Sequence, residues 1–549
     1  MKGLIGNVAG PLILLSTLLF ATNAQALIIP GTTYTVDSLG DAADAAIDGT
    51  CATVSGVCTL RAAIEESNAS AGNDTIRFSV TGTITLSSSL PAIIDSVTIQ
   101  GPGSTLLAIS AANQFRIIEV NSGGSGVTVQ VNDLTLRDGA GVAIDVQIPD
   151  ALGLNNCVIT AMSVPVSSAP GAISNNSVMY IGGSEIKANS GDGHVISNNL
   201  SSATLTIERS SITDNQITAG RGSITNWGGT VTIVNTTISG NGGIAVNNNT
   251  FSPPAGTVNI TSSTIVGNSV SGISNATGGT VNLKQTILSA NGVNCSGVLP
   301  TSAGYNIENG NSCSLAMGGD QTNTDPLLAP LANNSVGYAN QTRTHSLAAT
   351  SPAVDAGDPT TGCPAVISGT AVSTDQRGRS RPYDGNGDMA AICDIGAYEI
   401  APGLNISVAS QPLSTSESGG SATLGVKLET QPTADVQVSI ASSDTSEGTV
   451  APTTLTFTTS NWNTTQSVSV TGVDDTVVDG TVRYDVLLTA SSADTNYQTA
   501  TPLTVPAENS DNDSSPTSSS SGGGAFNPLW LVGFGVLAWE RRRNRVKQQ

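Results

Sequence analysis

The sequence predicts an all-β chain in which a right-handed parallel β-helix is followed by a β-sandwich. Three observations lead there. One pattern of small polar and β-branched residues recurs seven times between Val129 and Leu288. Within each unit apolar residues alternate with Ser, Thr and Asn, a period of two that belongs to strands and not helices. Beyond residue 404, short alternating runs are separated by turn residues, the pattern of a sandwich.

The repeat is plainest where Val231-Thr-Ile233-Val-Asn-Thr-Thr-Ile238-Ser-Gly-Asn241 is set over Val258-Asn-Ile260-Thr-Ser-Ser-Thr-Ile265-Val-Gly-Asn268. The aligned aliphatic residue falls at Leu136, Ile159, Ile186, Ile212, Ile238, Ile265 and Leu288, in steps of 23, 27, 26, 26, 27 and 23. A fixed period of this size without a helical pattern marks a solenoid. Gly and Asn clusters such as Ser239-Gly-Asn-Gly-Gly243 supply turns that need positive φ. Equivalent residues should then stack about 4.8 Å apart from coil to coil.

Stacking in register makes specific demands on side chains. Asn189, Asn215, Asn241, Asn268 and Asn291 each lie three residues after the aligned aliphatic and should form one column. A buried Asn can pair its amide with the next coil, satisfying polar groups that a tight turn leaves open. A less regular second column is expected from Asn175, Asn198, Asn226, Asn247 and Asn275. Two residues before the aliphatic stand Leu134, Cys157, Ser184, Ser210, Thr236, Ser263 and Thr286, small enough in the main for a narrow interior, with Cys157 as a buried thiol.

Taken in order, residues 1–26 read as a secretory signal peptide, with Lys2, an apolar run and Ala24-Gln-Ala26 as the cleavage site. Residues 27–95 form the closing end. Thr59 is a natural N-cap for a short helix with Leu60, Ala63 and Ile64 on one face, suited to plugging the open core. Residues 96–320 are the repeats, 321–400 the C-terminal part of the solenoid, 404–513 the sandwich, 514–525 a Ser/Gly linker and 526–549 a terminal apolar and basic signal. In the signal, the 12 residues from Pro528 to Trp539 are too short as a helix for the roughly 30 Å hydrocarbon core.

Composition narrows the task. Twenty Lys and Arg against 41 Asp and Glu, a formal net charge of −21, argue against nucleic acid or an anionic membrane surface as partner. Export makes disulfides the natural state of three local cysteine pairs, Cys51 with Cys58, Cys295 with Cys313 and Cys363 with Cys393.

Several stretches resemble known groups. Tyr34-Thr-Val-Asp-Ser-Leu-Gly-Asp41, Cys58-Thr-Leu-Arg-Ala-Ala-Ile-Glu65 and Asp74-Thr-Ile-Arg-Phe78 resemble the CSLREA-type motif of exported bacterial β-helix proteins, with Thr59 and Ala62 replacing its second and fifth letters. Ser351-Pro-Ala-Val-Asp-Ala-Gly-Asp358, Asp375-Gln-Arg-Gly-Arg379 and Cys393-Asp-Ile-Gly-Ala-Tyr-Glu399 resemble the choice-of-anchor Q domain. That resemblance implies surface display and supplies no catalytic residues. The sandwich is similar to Calx-β-like modules, which implies acidic loops able to hold calcium: here Glu417, Asp474, Asp475, Asp479, Asp511 and Asp513, with Asp479 where a Glu is usual. Gly522-Gly523-Gly524, the apolar run and Arg541-Arg-Arg543 resemble the GlyGly-CTERM signal. It implies the export machinery and a rhombosortase-type protease as partners, and the surface or surroundings of a Gram-negative-type cell as the destination, with a permanent tail anchor as the alternative.

Two chemistries stay open. Asp384-Gly-Asn386-Gly-Asp388 offers oxygen ligands at alternate positions around glycines, suited to Ca2+ if Asp394 or Glu399 completes the shell, or equally to a polar turn. For catalysis, Asp133, Asp138 and Asp145, with Asp150 and Arg137 nearby, are the densest carboxylates of the repeats. A glycosidase needs two such groups about 5 to 10 Å apart on one exposed face. Asp138 and Asp214 share a repeat position but stand three coils, about 14 Å, apart. Neither His194 nor His345 accompanies a nucleophile-elbow sequence. The expectation is therefore a non-catalytic exported solenoid for adhesion or contact with extracellular polysaccharide or a host surface, with a carbohydrate-active enzyme as the rival.

Overall fold

The structure, a computed structural model, describes residues 31–164, 171–218, 220–249, 256–335, 342–360, 363, 372–386, 388, 390–498 and 502–513. The cleavage site at Ala26, the linker and the terminal signal with Gly522, Gly523 and Gly524 lie outside them. Among the described residues no helix is long and apolar enough to cross a membrane.

Residues 33–308 form a parallel β-helix whose walls are three long sheets. The first has eleven strands, from Thr33–Val36 to Thr301–Ser302; the second ten, from Gly82–Thr85 to Ile307–Glu308; the third eight, from Ile118–Val120 to Cys295–Gly297. A three-stranded sheet of Ser163–Val164, Ser190–Gly191 and Gln216–Ile217 fills one corner. The expected frame is the observed register: Ile207 lies over Ile233 and Ile233 over Ile260 in the first sheet, and Ile212 over Ile238 over Ile265 in the second. These aliphatic residues are fully buried, each contributing about 1.5–3 kcal/mol.

The corners are made in an unexpected way. Between the first and second sheets the chain turns through one residue of positive φ in seven consecutive coils: Asp133 (55°), Asn156 (52°), Gly183 (57°), Arg209 (49°), Asn235 (46°), Ser262 (47°) and Gln285 (51°). A second such column follows the second sheet at Asp138, Ala161, Ala188, Asp214, Gly240, Gly267 and Ala290. Glycine fills only three of these fourteen positions. Left-handed conformation is disfavoured for residues with a Cβ, so the stacked hydrogen bonds on either side must hold each corner in place.

Two buried asparagine columns line other turns. Asn189, Asn215, Asn241, Asn268 and Asn291 stack as expected, each Nδ2 donating to the next Oδ1 at 2.8–2.9 Å. The second column runs Asn175, Asn198, Asn226, Asn248, Asn275. Asn248 therefore replaces the expected Asn247, which pairs instead with Thr225 and Ser274 one position earlier in the strand. The small-residue column also forms a ladder, the N–H of Cys157, Ser184, Ser210 and Thr236 each donating to the hydroxyl one coil on, at 3.1–3.4 Å. Cys157 is a buried free thiol whose pKa burial pushes up to about 12.

The helix Leu60–Ala69 closes one end of the core with Leu60, Ala63 and Ile64 buried, and Thr59 Oγ1 accepts from Ala62 N as its cap. Arg61 pairs with Asp41 at 2.8 Å and Glu65 accepts from Asp44 N at 2.7 Å, so the helix pins the loop in front of it. The Cys51–Cys58 bond fastens the same loop, and Cys295–Cys313 ties the last coils.

Past Glu308 the described residues carry isolated bridges and no further wall strands. The described residues between 342 and 400 instead return along the outer face of the second sheet, held together by Cys363–Cys393. Arg343 reaches Glu185 at 2.5 Å and Asp214 at 2.7 Å, His345 meets Ser239 Oγ at 2.8 Å, Gln376 accepts from Thr237 Oγ1 at 2.6 Å, and Ala397 N donates to Thr264 Oγ1 at 3.1 Å. The approach is close at Gly396 (φ 102°), where a Cβ would stand 2.8 Å from Ile287 Cδ1. Ile287 and Ile307 thereby leave solvent for a small core with Ile395, Tyr398 and Ile400.

Residues 404–510 form two packed sheets. One contains Leu404–Val408, Ser421–Leu428, Gln466–Gly472 and Gly448–Ala451; the other Leu413–Ser416, Leu503–Ser510, Val482–Ser492, Val436–Ser442 and Thr454–Phe457. All neighbours are antiparallel except Leu413–Ser416 with Leu503–Ser510. Arg377, fully buried, joins this unit to the return segment: it pairs with Asp375 and with Glu429 at 2.8 Å, and its guanidinium lies 3.6 Å over the Tyr398 ring. Arg379 meets the other Glu429 oxygen at 2.5 Å.

Candidate functional site

The repeat carboxylates do not converge. Asp133 and Asp138 occupy successive corners on either side of Thr135–Arg137. Asp133 accepts from Gln100 Nε2 at 2.7 Å and Asn156 Nδ2 at 3.0 Å, and Asp138 from Ser110 Oγ at 2.7 Å. Asp145 belongs to the third sheet, where it is buried against Gln147 Nε2 (2.8 Å) and Arg116 (3.6 Å). Asp150 is fully buried and accepts from Ser122 N at 2.7 Å and Val127 N at 3.0 Å. Asp214 is held by Arg343. Each carboxylate fastens a turn or a neighbouring coil.

The two histidines are also internal. His194 Nδ1 faces Gly222 N at 3.1 Å and Thr225 Oγ1 at 2.6 Å, with the Trp227 ring edge-on at 5.5 Å. Burial, with the charge of Arg221, lowers its pKa to about 4, so the ring is neutral. His345 is likewise lowered by burial and is seated between Ser239 and the Ala329 carbonyl.

In the Asp384–Asp388 loop the oxygens turn onto the loop's own backbone. Asp384 Oδ1 and Asn386 Oδ1 both accept from Asp388 N, at 3.1 and 2.8 Å. Asp394 and Glu399, expected to complete an ion shell, are fully buried elsewhere: Asp394 accepts from Asp355 N and Ile400 N, and Glu399 from Tyr383 N and Asp394 N with Arg381 at 3.2 Å. The acid that does reach this loop is Asp355, whose carboxylate accepts from Gly385 N and Asn386 N. Among the described residues, the loop's oxygens therefore accept from N–H groups of its own backbone.

The sandwich loops bring acids together more closely. Glu417, Asp511 and Asp513 can place carboxylate oxygens within 4.8 Å of one another, and Glu447, Asp475 and Asp479 form a second triad on the same terms. Asp474 stands outside both and accepts from Asn512 Nδ2 at 2.9 Å. Glu447 went unread in the sequence. It precedes Gly448–Ala451, which reaches the acidic loop only through antiparallel pairing with Gln466–Gly472.

Electrostatics set the first triad apart from ordinary surface acid. Burial and the neighbouring Asp511, Asp474, Asp475 and Asp479 raise the Asp513 carboxyl above its ordinary value. Glu417 is also raised: the Asn512 N–H opposes the shift, but burial together with Asp511, Asp475 and Asp513 outweighs it. Asp511 is lowered by the N–H groups of Gly480 and Asp513. Asp513 Oδ2 is buried with no hydrogen-bond partner among the described residues. An all-oxygen donor set with crowded charge and an orphaned oxygen fits a hard divalent cation. Glu417, Asp511 and Asp513 would hold it, with Glu447, Asp475 and Asp479 as an adjoining set, and its charge would relieve their repulsion.

No known protein family and no curated protein matches the chain. Two solved structures from Caenorhabditis elegans align with a minor part of it: SSP-19, an MSP-domain protein like family member, at 15% identity over 18% of this chain and 94% of that one, and the MSP family member WR4, at 8% identity over 19% and 95%. The TM-score is 0.15 for each.

Proposed function

We propose that the protein is an exported, non-catalytic β-helix that contacts glycan by its regular polar faces. One observation carries this reading: the exposed side of the first sheet presents polar side chains in strict register. Thr204, Thr230, Thr257 and Thr280 form one row, and Thr206, Thr232, Asn259 and Asn282 the next. At about 4.8 Å between coils, such rows offer a periodic series of hydroxyls and amides to a periodic polymer. Tyr180 adds an aromatic plate on this face, lying across Gly182, where a Cβ would come within 2.4 Å of the ring.

The scattered carboxylates, each engaged at a turn or against a neighbouring coil, favour binding over hydrolysis, since glycosidic chemistry needs a facing pair. Calcium fits as a structural ion of the sandwich, and the disulfides accord with an oxidising compartment. The test incubates the purified chain with a panel of polysaccharides, scoring retention and chain length separately. Retention without shortening is expected. Shortening that disappears in Asp138→Ala or Asp145→Ala would establish the enzyme instead.

A further inference from the structure

The return segment covers the second sheet only in part. From Ser211 onward its outward residues are buried under the described residues between 342 and 400: Thr213, Thr237 and Thr264 are each 0–2% exposed. Nearer the helix-capped end the same face is open. There it forms one wall of a groove of about 710 Å³, and the sandwich residues Thr481, Arg483 and Glu508 form the other.

The groove's charge is opposite to that of the chain. Arg137, Lys187 and Arg483 line it against a single carboxylate, Glu508, in a protein of net charge −21. Their side chains remain 42%, 37% and 40% exposed although each has an acidic neighbour: Asp138 at 3.5 Å, Glu185 at 2.5 Å and Glu508 at 3.8 Å. Glu185 is shared with Arg343 and Asp138 also accepts from Ser110, so neither acid serves its cation alone. Arg137 and Lys187 occupy one column, separated by Thr160. Two coil spacings put their attachment points about 10 Å apart, roughly the length of two sugar rings. Thr83, Thr135 and Thr160 set hydroxyls among the cations.

We infer that this groove binds an acidic polysaccharide, its carboxylates meeting Arg137, Lys187 and Arg483 and its hydroxyls the threonines. The inference rests on the glycan-contact reading and specifies the class of glycan and the place. A polymer with one carboxylate per ring matches cations spaced by coils and interleaved with hydroxyl groups. Densely charged polyanions would be repelled by the rest of the surface.

The test measures binding of the full chain to polygalacturonate, to the neutral glucan dextran and to polyglutamate in 0.15 M salt. Polygalacturonate should bind at least tenfold more tightly than either of the others. Arg137→Gln, Lys187→Gln and Arg483→Gln should each weaken it several-fold, and the triple variant at least tenfold, with an unchanged melting profile and no effect of Lys427→Gln outside the groove. Equal binding of dextran, unaffected by the variants, overturns the groove and leaves glycan contact standing. Equal binding of polyglutamate overturns the sugar assignment, and retention of none of the three overturns the inference. Failure of glycan contact itself is read separately, from the neutral and acidic members of the polysaccharide panel.

Discussion

Asn215 and Asn241 share one oxygen: the Oδ1 of Asn241 accepts both the side-chain Nδ2 of Asn215, at 2.8 Å, and its backbone N–H, at 3.1 Å. The Nδ2 of Asn241 meanwhile donates to the Ile212 carbonyl at 3.0 Å. It also donates to Asn268 Oδ1 at 2.8 Å, so one buried carboxamide serves four groups. Asn241→Ala should cost about 3 kcal/mol, since each buried polar group left unpaired costs roughly 1–3 kcal/mol. Asn259→Ala, on the half-exposed face, should cost under about 1 kcal/mol. Amide hydrogen exchange at Asn215 and chemical denaturation read the two. A loss at Asn241 no larger than at Asn259 would remove the ladder from the account of stability.

The acid triads predict a response to calcium. Saturating Ca2+ should raise the melting temperature of the sandwich by several degrees, because a ligand at 100 times its Kd adds about 2.7 kcal/mol. Glu447→Gln and Asp513→Asn should each reduce that rise. Calorimetry with and without chelator measures it, and identical melts under both conditions would eliminate the ion.

Glu399 predicts a pH dependence in the opposite sense to most carboxylates. Burial raises its pKa from 4.5 to about 7, the charge of Arg381 opposing and that of Asp375 adding, and burial raises the adjacent Asp394 as well. Between these values the native state keeps a proton that the unfolded chain has released. Stability is therefore full below the lower value and falls as pH rises through the upper one. The fall should amount to about 3 kcal/mol, at 1.36 kcal/mol per pKa unit. Melting temperatures from pH 4.5 to 7.5 should decline in the wild type and stay nearly flat in Glu399→Gln. Parallel curves would place the titration elsewhere.

Glu429 predicts the strength of the junction. Its two oxygens hold Arg377 and Arg379, and both guanidiniums are almost wholly buried. Glu429→Ala removes a buried counter-charge from both guanidiniums and should cost about 3–5 kcal/mol. Limited proteolysis should then cut near Ala401–Gly403 at a much higher rate, while each unit keeps its own core. An unchanged cleavage pattern would show that the joint stands without this carboxylate.

What could be read in advance was whatever repeats. The Asn189–Asn291 column was legible because identical side chains recur in one frame, with Ile186, Ile212 and Ile238 fixing the phase. The other column slipped by one residue at Asn248 because its spacing is uneven, 23, 28, 22 and 27 residues from Asn175 to Asn275, although Ile173, Ile196, Ile224, Val246 and Ile273 stack two residues before its members. Asp133 and Asp138 looked chemical because their columns hold Asp, Asn, Arg, Ser, Gln, Ala and Gly alike. What those residues have in common is a backbone angle, and letters do not carry one. Glu447, the basic groove and the path of residues 342–400 all depend on contacts between distant segments. Arg343 and Glu185, for example, are 158 residues apart, with no periodicity to link them.

The returning strap also changes how the molecule meets tension. A stack of coils pulled from its last turn can peel, one layer yielding after another. Here a pull on the sandwich passes through Glu429 to Arg377 and Arg379, then into a strap riveted sideways at Gln285, Thr264, Ser239, Thr237 and Glu185. Those rivets are strained in shear and share the force, so several layers must give way together before any one can unwind.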